Sequence, residues 1–357
     1  MKYYSLKKIL ENNAQYNMIF GERSNGKTYS VLEYGLKNYI EHGEQMAIIR
    51  RWQDDLTGKR GATVFDALVN NNEVTRLTAG YWNGIYYYSG RWYLSRFTGK
   101  KRILDEKPLA YAFSLTGMEH DKSTSYPDVT TILFDEFLTR KMYLPDEFVI
   151  FMNVLSTIIR ERTNVKIFML GNTVNKYCPY FSEMGLSHIK DMQPGNIDLY
   201  RYGESDLLVA VEYTKPNKHG KDNDFYFAFD NPKLSMITGG KWEIDIYPHC
   251  PIKYKPYDIK YIYFICFDSE MLQCEVIFTD VLTFTYIHRK STDLKDNINN
   301  LVYDPEFNPL PNHRRKITKP AYDIEKKIIW YFKNDKVFYQ DNEVGEIVRN
   351  YLLWCNS

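Results

Sequence analysis

An α/β fold with a mostly parallel sheet is predicted for the first half of this chain, on three observations. Short, unbroken apolar runs recur there: "YNMIF" at 16–20, "QMAIIR" at 45–50, "LAYAFSL" at 109–115, "TTILF" at 130–134 and "VKIFML" at 165–170. Runs of this kind, with no polar alternation, suit strands covered on both faces. Helical patterns lie between them. In "PDEFVIFMNVLSTIIRER" the side chains of Phe148, Phe151, Met152, Leu155, Ile158 and Ile159 recur at steps of three and four, which turns one stripe toward a core, and Pro145 suits a first turn. The third observation is a glycine-bearing octapeptide where the first run ends.

That octapeptide, Gly21-Glu22-Arg23-Ser24-Asn25-Gly26-Lys27-Thr28, fits G-x-x-x-x-G-K-[ST] at every fixed position. Glycines let the backbone wrap closely and aim its N–H groups inward, the lysine reaches the β- and γ-phosphates of a nucleotide, and the threonine hydroxyl meets Mg²⁺. The helical pattern that follows adds the positive end of its dipole. A glycine-rich turn without a ligand is the plainer reading, but a strand before and a helix after are the context that phosphate binding requires. Gly21, Arg23, Ser24, Asn25, Gly26, Lys27 and Thr28 are therefore expected around the phosphates of ATP.

The second run ends on Arg50-Arg51, within reach of such a nucleotide, and the fourth ends on Asp135-Glu136. Asp135 is expected to hold Mg²⁺ together with Thr28, and Glu136 to orient and polarise the attacking water. An acidic pair at a strand end is often merely structural; the upstream loop gives this one a metal to hold. The adjacent acids argue against a small GTPase, as does "NKYC" at 175–178, where the guanine-selecting N-K-x-D would need Asp in place of Cys178. The fifth run ends in "MLGNTVN". Asn172 at its tip can touch both γ-phosphate and water, or can simply be a turn residue after Gly171. Arg160 and Arg162 close the preceding helical segment. They either complement the helix dipole or include a finger for a neighbour's site, an effect worth about 10³–10⁵ in rate.

The second half is β-rich, from "DLLVAVEY" through "DFYFAFD", "KYIYFICF" and "CEVIFTDVLTFTYI", and closes with helical patterns in "AYDIEKKIIWYF" and "EIVRNYLLW". The polar stretch "TKPNKHGKDND" at 214–224 reads as a linker or long hairpin loop. The expected division is 1–202, a linker at 203–226, and 227–357. A chain of 357 residues can bury two cores.

With 46 basic and 45 acidic residues the formal net charge is +1, so no global field draws the protein onto nucleic acid or membrane. Polyanion contact must be local. Lys59 and Arg60 in "TGKRGAT", and Lys100, Lys101 and Arg102 in "TGKKRILDEK", are the candidate DNA-contacting patches, with solvated loop tips as the plainer reading. The five cysteines form no C-x-x-C pair, as expected of reduced thiols in the cytoplasm. No secretory signal and no apolar run near the roughly 18 residues needed to span a bilayer is evident, so a soluble protein without a membrane partner is expected.

With these residues assembled, the chain resembles the DNA-packaging ATPases of small short-tailed phages, relatives of the large-terminase motors. The resemblance rests on "FGERSNGKTYS", "HGEQMAIIRRW", "DKSTSYPDVTTILFDEF" and "RERTNVKIFMLGNTVNKYCPYF"; it covers nearly all of 16–182 and is faint beyond residue 200. It implies a P-loop NTPase domain of the ASCE, terminase-like type, followed by a smaller β-rich α+β domain that is a degenerate RNase H-like nuclease fold. Asp230, Asp268 and Asp280 show no spacing of a metal-binding triad, so nuclease activity is not expected.

The same resemblance implies a homo-oligomeric ring, a pentamer, at the portal vertex of an empty prohead in the infected bacterial cytoplasm. There it would use ATP and Mg²⁺ to drive double-stranded DNA inside; whether a structural RNA takes part is left open. In that family the arginine ending the helix after the catalytic strand acts in trans, which matches Arg160, and Lys122, just before "STSYP", matches a second trans-acting position. Two rivals stay open: a helicase or recombination ATPase, and a module that binds ATP without hydrolysing it.

Overall fold

A computed structural model of the chain describes residues 4–117, 124–139, 143–173, 177–203, 205–216, 247–292, 294 and 299–356. The chain divides into two compact units, 1–140 with 146–242, and 141–145 with 243–357.

The first unit is built on one ten-stranded sheet. Its strands are β1 (Tyr16–Gly21), β2 (Gln45–Arg50), β3 (Gly84–Tyr88), β4 (Arg91–Thr98), β5 (Lys101–Leu104), β6 (Ala110–Ser114), β7 (Val129–Asp135), β8 (Lys166–Asn172), β9 (Ile197–Arg201) and β10 (Leu208–Tyr213). The centre runs β6-β2-β7-β8-β1-β10, every pair parallel. All five apolar runs of the first half lie in this parallel set. At one end β4 pairs antiparallel with β6 and carries β3 and β5; at the other, β9 pairs antiparallel with β10.

Strand β10 corrects the expected linker at 203–226. It lies inside that span, yet it is a buried strand of this sheet, in register from Tyr16↔Val209 to Phe20↔Tyr213 against β1. "LVAVEY" has the burial of a central parallel strand, and the polar stretch begins only at Thr214.

Side chains of successive strand residues leave opposite faces of the sheet, and each face has its own cover. Ile19, Ile48, Leu133 and Leu170 join a core with Ile9 of the short helix α1 (Lys7–Leu10) and Val31, Leu32 and Leu36 of helix α2 (Lys27–His42). On the other face Phe134 stacks on Phe151 at 4.9 Å, and both rings meet Tyr180 at 5.6 Å. Burying a ring of this size contributes roughly 1.5–3 kcal/mol. Phe151 belongs to the helix Glu147–Ile159 and Tyr180 to the short helix Pro179–Glu183. The former begins two residues beyond Pro145, after Asp146 in a left-handed conformation. Because the central strands are parallel, Gly21, Arg50, Asp135 and Asn172 all finish at one edge of the sheet, where ligands of open α/β folds bind.

The second unit is built on a six-stranded sheet, formed by β11 (Ile259–Phe267), β12 (Glu270–Phe278), β13 (Thr283–Arg289), β14 (Leu301–Tyr303), β15 (His313–Arg314) and β16 (Val337–Tyr339). β11, β12 and β13 form an antiparallel meander, β14 and β15 extend it in parallel beyond β11, and β16 runs parallel to β13. Helices Asp323–Lys333 and Asn342–Asn356 follow in the expected places.

Candidate active site

The loop between β1 and α2 is shaped by two glycines and a buried asparagine. Gly21 has φ +151°, and a β-carbon there would lie 2.0 Å from Thr214 Oγ1, so no side chain fits. Gly26 precedes α2 in the left-handed region, at φ +90°. Asn25 is buried; its Nδ2 donates to Thr214 Oγ1 (3.1 Å), and its Oδ1 accepts from the Lys27 backbone N–H (3.3 Å). Lys27 Nζ donates to the Glu22 carbonyl at 2.6 Å and lies 3.5 Å from Asn172 Oδ1. Burial pulls its pKa down to about 8, against the nearby charges of Asp135 and Glu22. Arg23 and Ser24 are exposed on the loop.

Thr28 Oγ1 stands 3.3 Å from each carboxylate oxygen of Asp135. Burial raises the Asp135 pKa, opposed by Arg50, whose guanidinium lies 2.8 Å from Oδ2. The same guanidinium holds Glu136 Oε2 at 3.0 Å, and the Glu136 side chain is 65% exposed. Glu136 sits in the left-handed region at φ +64°, unusual for a residue with a β-carbon. β8 lies between β1 and β7, with Asn172 opposite Gly21 and Leu170 opposite Asp135. Lys27, Thr28, Asp135, Glu136 and Asn172 thus lie together at one end of the parallel strands.

Sequence reasoning missed Thr214 altogether and the contacts of Arg50 and Arg51. Thr214 braces the loop from just beyond β10. Arg50, noted only as a residue near nucleotide, bridges both acids. Arg51 turns inward to a buried pair with Glu147, Nε to Oε2 at 2.7 Å. Only the arginine pair after an apolar run carried any signal.

Other candidates stand elsewhere. Arg160 follows the helix Glu147–Ile159 and donates to the Thr124 carbonyl at 3.1 Å. Arg162 donates to the carbonyls of Pro127 and Val129, where β7 begins. Arg162 therefore stands at the end of β7 opposite Asp135, roughly 20 Å away at about 3.3 Å per strand residue, and Arg160 lies two residues before it. Lys122 and Asp230 lie outside the described residues. Lys59 and Arg60 are exposed on a short helix, Gly58–Ala62, rather than on a loop, and Arg60 pairs with Asp55 at 3.0 Å. Lys100 lies in the exposed β4–β5 turn, Lys101 is the exposed first residue of β5, and Arg102 covers the rings of Tyr86 (4.3 Å) and Phe97 (4.8 Å). Among the described residues, no group of three His, Cys, Asp or Glu is arranged to hold a metal, and no helix is long and apolar enough to cross a membrane.

A strand turning through a glycine-bearing loop into a helix, with an acid-tipped strand two places away in a parallel sheet, is the fold of a P-loop NTPase. The chain belongs to the Podovirus DNA encapsidation protein (Gp16) family, which it matches over residues 1–200. It is 30% identical over 176 residues to the DNA packaging protein of Bacillus phage B103, covering 48% of each chain. Against that of Bacillus phage phi29 it is 30% identical over 182 residues, or 50% of this chain and 49% of the relative. The chain spans about half the length of the curated relatives it matches.

Among solved structures, the phi-28 gp11 DNA packaging motor aligns with TM-score 0.58 at 20% identity, over 99% of this chain and 98% of that one. The bacteriophage phi-29 viral genome packaging motor assembly aligns with TM-score 0.55 at 21% identity, over 98% and 96%. At these identities the likeness is one of fold.

Proposed function

We propose that this protein is an ATPase that drives double-stranded DNA into a phage prohead. The observation that carries the reading is the meeting of Thr28 with Asp135 at 3.3 Å, beside the buried ammonium of Lys27, in a member of a DNA encapsidation family. A hydroxyl and a carboxylate are hard oxygen donors that fit Mg²⁺. When bound, Mg²⁺ would neutralise charge on the phosphoryl group being transferred.

On this reading Lys27 and the amides of residues 22–28 hold the phosphates of ATP. Glu136 accepts the proton of the attacking water; its exposure leaves it open to solvent, and Arg50 must release it first. Asn172 orients the γ-phosphate from between the two strands. Arg160, at the far edge, cannot serve its own subunit. It acts on the site of a neighbour in a ring of copies, a pentamer at the prohead portal, with Lys122 as a second group in trans.

DNA is gripped through phosphates by Lys59, Arg60, Lys100, Lys101 and Arg102, contacts that are salt-sensitive and blind to sequence. The second unit is read as an RNase H-like sheet without nuclease activity. The host cytoplasm is the proposed location.

The test is turnover of Mg-ATP by the purified protein with and without duplex DNA, beside Glu136→Gln. Turnover stimulated by DNA, and an ATP-binding but inert variant, are expected. Equal behaviour of the two proteins would favour a module that binds ATP without using it.

A further inference from the structure

Arg51 follows Arg50 at the end of β2 and takes the opposite direction, into the protein, where its side chain is 6% exposed. It makes a forked pair with Glu147, the first residue of its helix: Nε to Oε2 at 2.7 Å and Nη2 to Oε1 at 2.9 Å. Tyr180 donates its hydroxyl proton to the same Oε1 at 2.8 Å. Arg51 also donates to two backbone carbonyls, that of Glu136 from Nη1 (3.2 Å) and that of Phe137 from Nη2 (2.8 Å).

Those carbonyls belong to the turn in which Glu136 has φ +64°, a conformation that persists for such a residue only where its surroundings impose it. From the other side the Phe137 N–H donates to the Leu170 carbonyl at 3.1 Å. The turn is therefore fastened at successive peptides. A buried ion pair is a poor source of stability, since apolar residues of similar volume commonly do as well. What this one supplies is a fixed fork of donors, reaching a carboxylate and two carbonyls at once.

We propose that Arg51, anchored by Glu147 and Tyr180, is a positioning residue that fastens the Glu136–Phe137 turn and so aims the Glu136 carboxylate toward the phosphates. The inference rests on the reading of Glu136 as the base. Arg50 and Arg51 then hold different parts of one residue, the first its carboxylate head and the second its backbone.

Two variants test it. Arg51→Lys keeps a buried cation beside Glu147 but cannot span all three acceptors. Arg51→Met combined with Glu147→Leu replaces the pair by apolar volume. In each, kcat for ATP should fall about 10²-fold, the effect of a misplaced catalytic group. Affinity for a non-hydrolysable ATP analogue should be unchanged in both. Full kcat in the double variant would overturn the positioning role while leaving the ATPase reading intact. An inert wild-type protein would instead overturn that reading, so the two failures are distinguishable.

Discussion

The Arg50 guanidinium lies 2.8 Å from Asp135 Oδ2, and one cation there faces two adjacent carboxylates, since Glu136 is held by the same group. Removing it leaves like charges side by side, one of them buried. Arg50→Ala should cost about 3 kcal/mol of stability at neutral pH, the scale for breaking a largely buried pair. Burial already raises the Asp135 pKa. A carboxyl raised above its unfolded value binds the extra proton in the folded state, so stability falls as pH rises through that range. The deficit of Arg50→Ala should therefore shrink in mildly acid solution; urea unfolding at the two pH values checks this, and a pH-independent deficit would contradict it.

Lys27 gives a second pH dependence. Its pKa is lowered to about 8 by burial, so above that value much of the free protein carries a neutral amine. A triphosphate favours the ammonium. Nucleotide binding should then take up a proton, and affinity should weaken as pH rises through 8, approaching about tenfold per pH unit well above it. Calorimetry in buffers of different ionisation enthalpy measures the uptake, and Lys27→Met should abolish it.

Gly21 tests the loop itself. A methyl group there would meet Thr214 Oγ1 at 2.0 Å and would have to adopt φ +151°. Gly21→Ala should lose about 1–3 kcal/mol by overpacking, and nucleotide affinity with it, because Thr214 anchors Asn25. Thr214→Gly in the same chain should recover part of the stability. No recovery would place the whole defect in the backbone.

The parallel core was legible in the sequence because strands buried on both faces must be apolar throughout, and β1 and β7 are buried at every position. The glycine-bearing loop and the Asp135-Glu136 pair were legible because each is a short, contiguous pattern in the sequence. The antiparallel β3, β4 and β5 were not: "GIYYY", "RWYLSRFT" and "KRIL" between them mix rings with charge, since one face buries Trp92 and Leu94 while the other lays Arg102 across Tyr86 and Phe97. β10 was placed in the later, β-rich half because nothing local shows that a strand returns to pair with β1. Arg51, Glu147 and Tyr180 are distant in the chain, and only the fold makes them neighbours. Even Arg50 and Arg51 differ by the alternation of a strand end, one reaching the acids and the other the interior.

Arg160 supplies a prediction about assembly. It stands at the edge of the sheet opposite the acids, tied to the Thr124 carbonyl. If it acts on a neighbour, Arg160→Ala and Glu136→Gln should each be inactive alone, and mixing them should restore part of the ATPase activity, because some interfaces then pair an intact base with an intact arginine. Full activity of Arg160→Ala by itself would remove the shared-site reading.

The most direct measurement is a double-mutant cycle on Mg-ATP affinity with Thr28→Val and Asp135→Asn. If both residues grip one magnesium–triphosphate, their effects should be coupled by about 0.5–3 kcal/mol in Mg²⁺ and the coupling should vanish in EDTA. Losses that add to within about 0.5 kcal/mol in Mg²⁺ would mean that the two residues do not share a ligand, and would contradict the proposal.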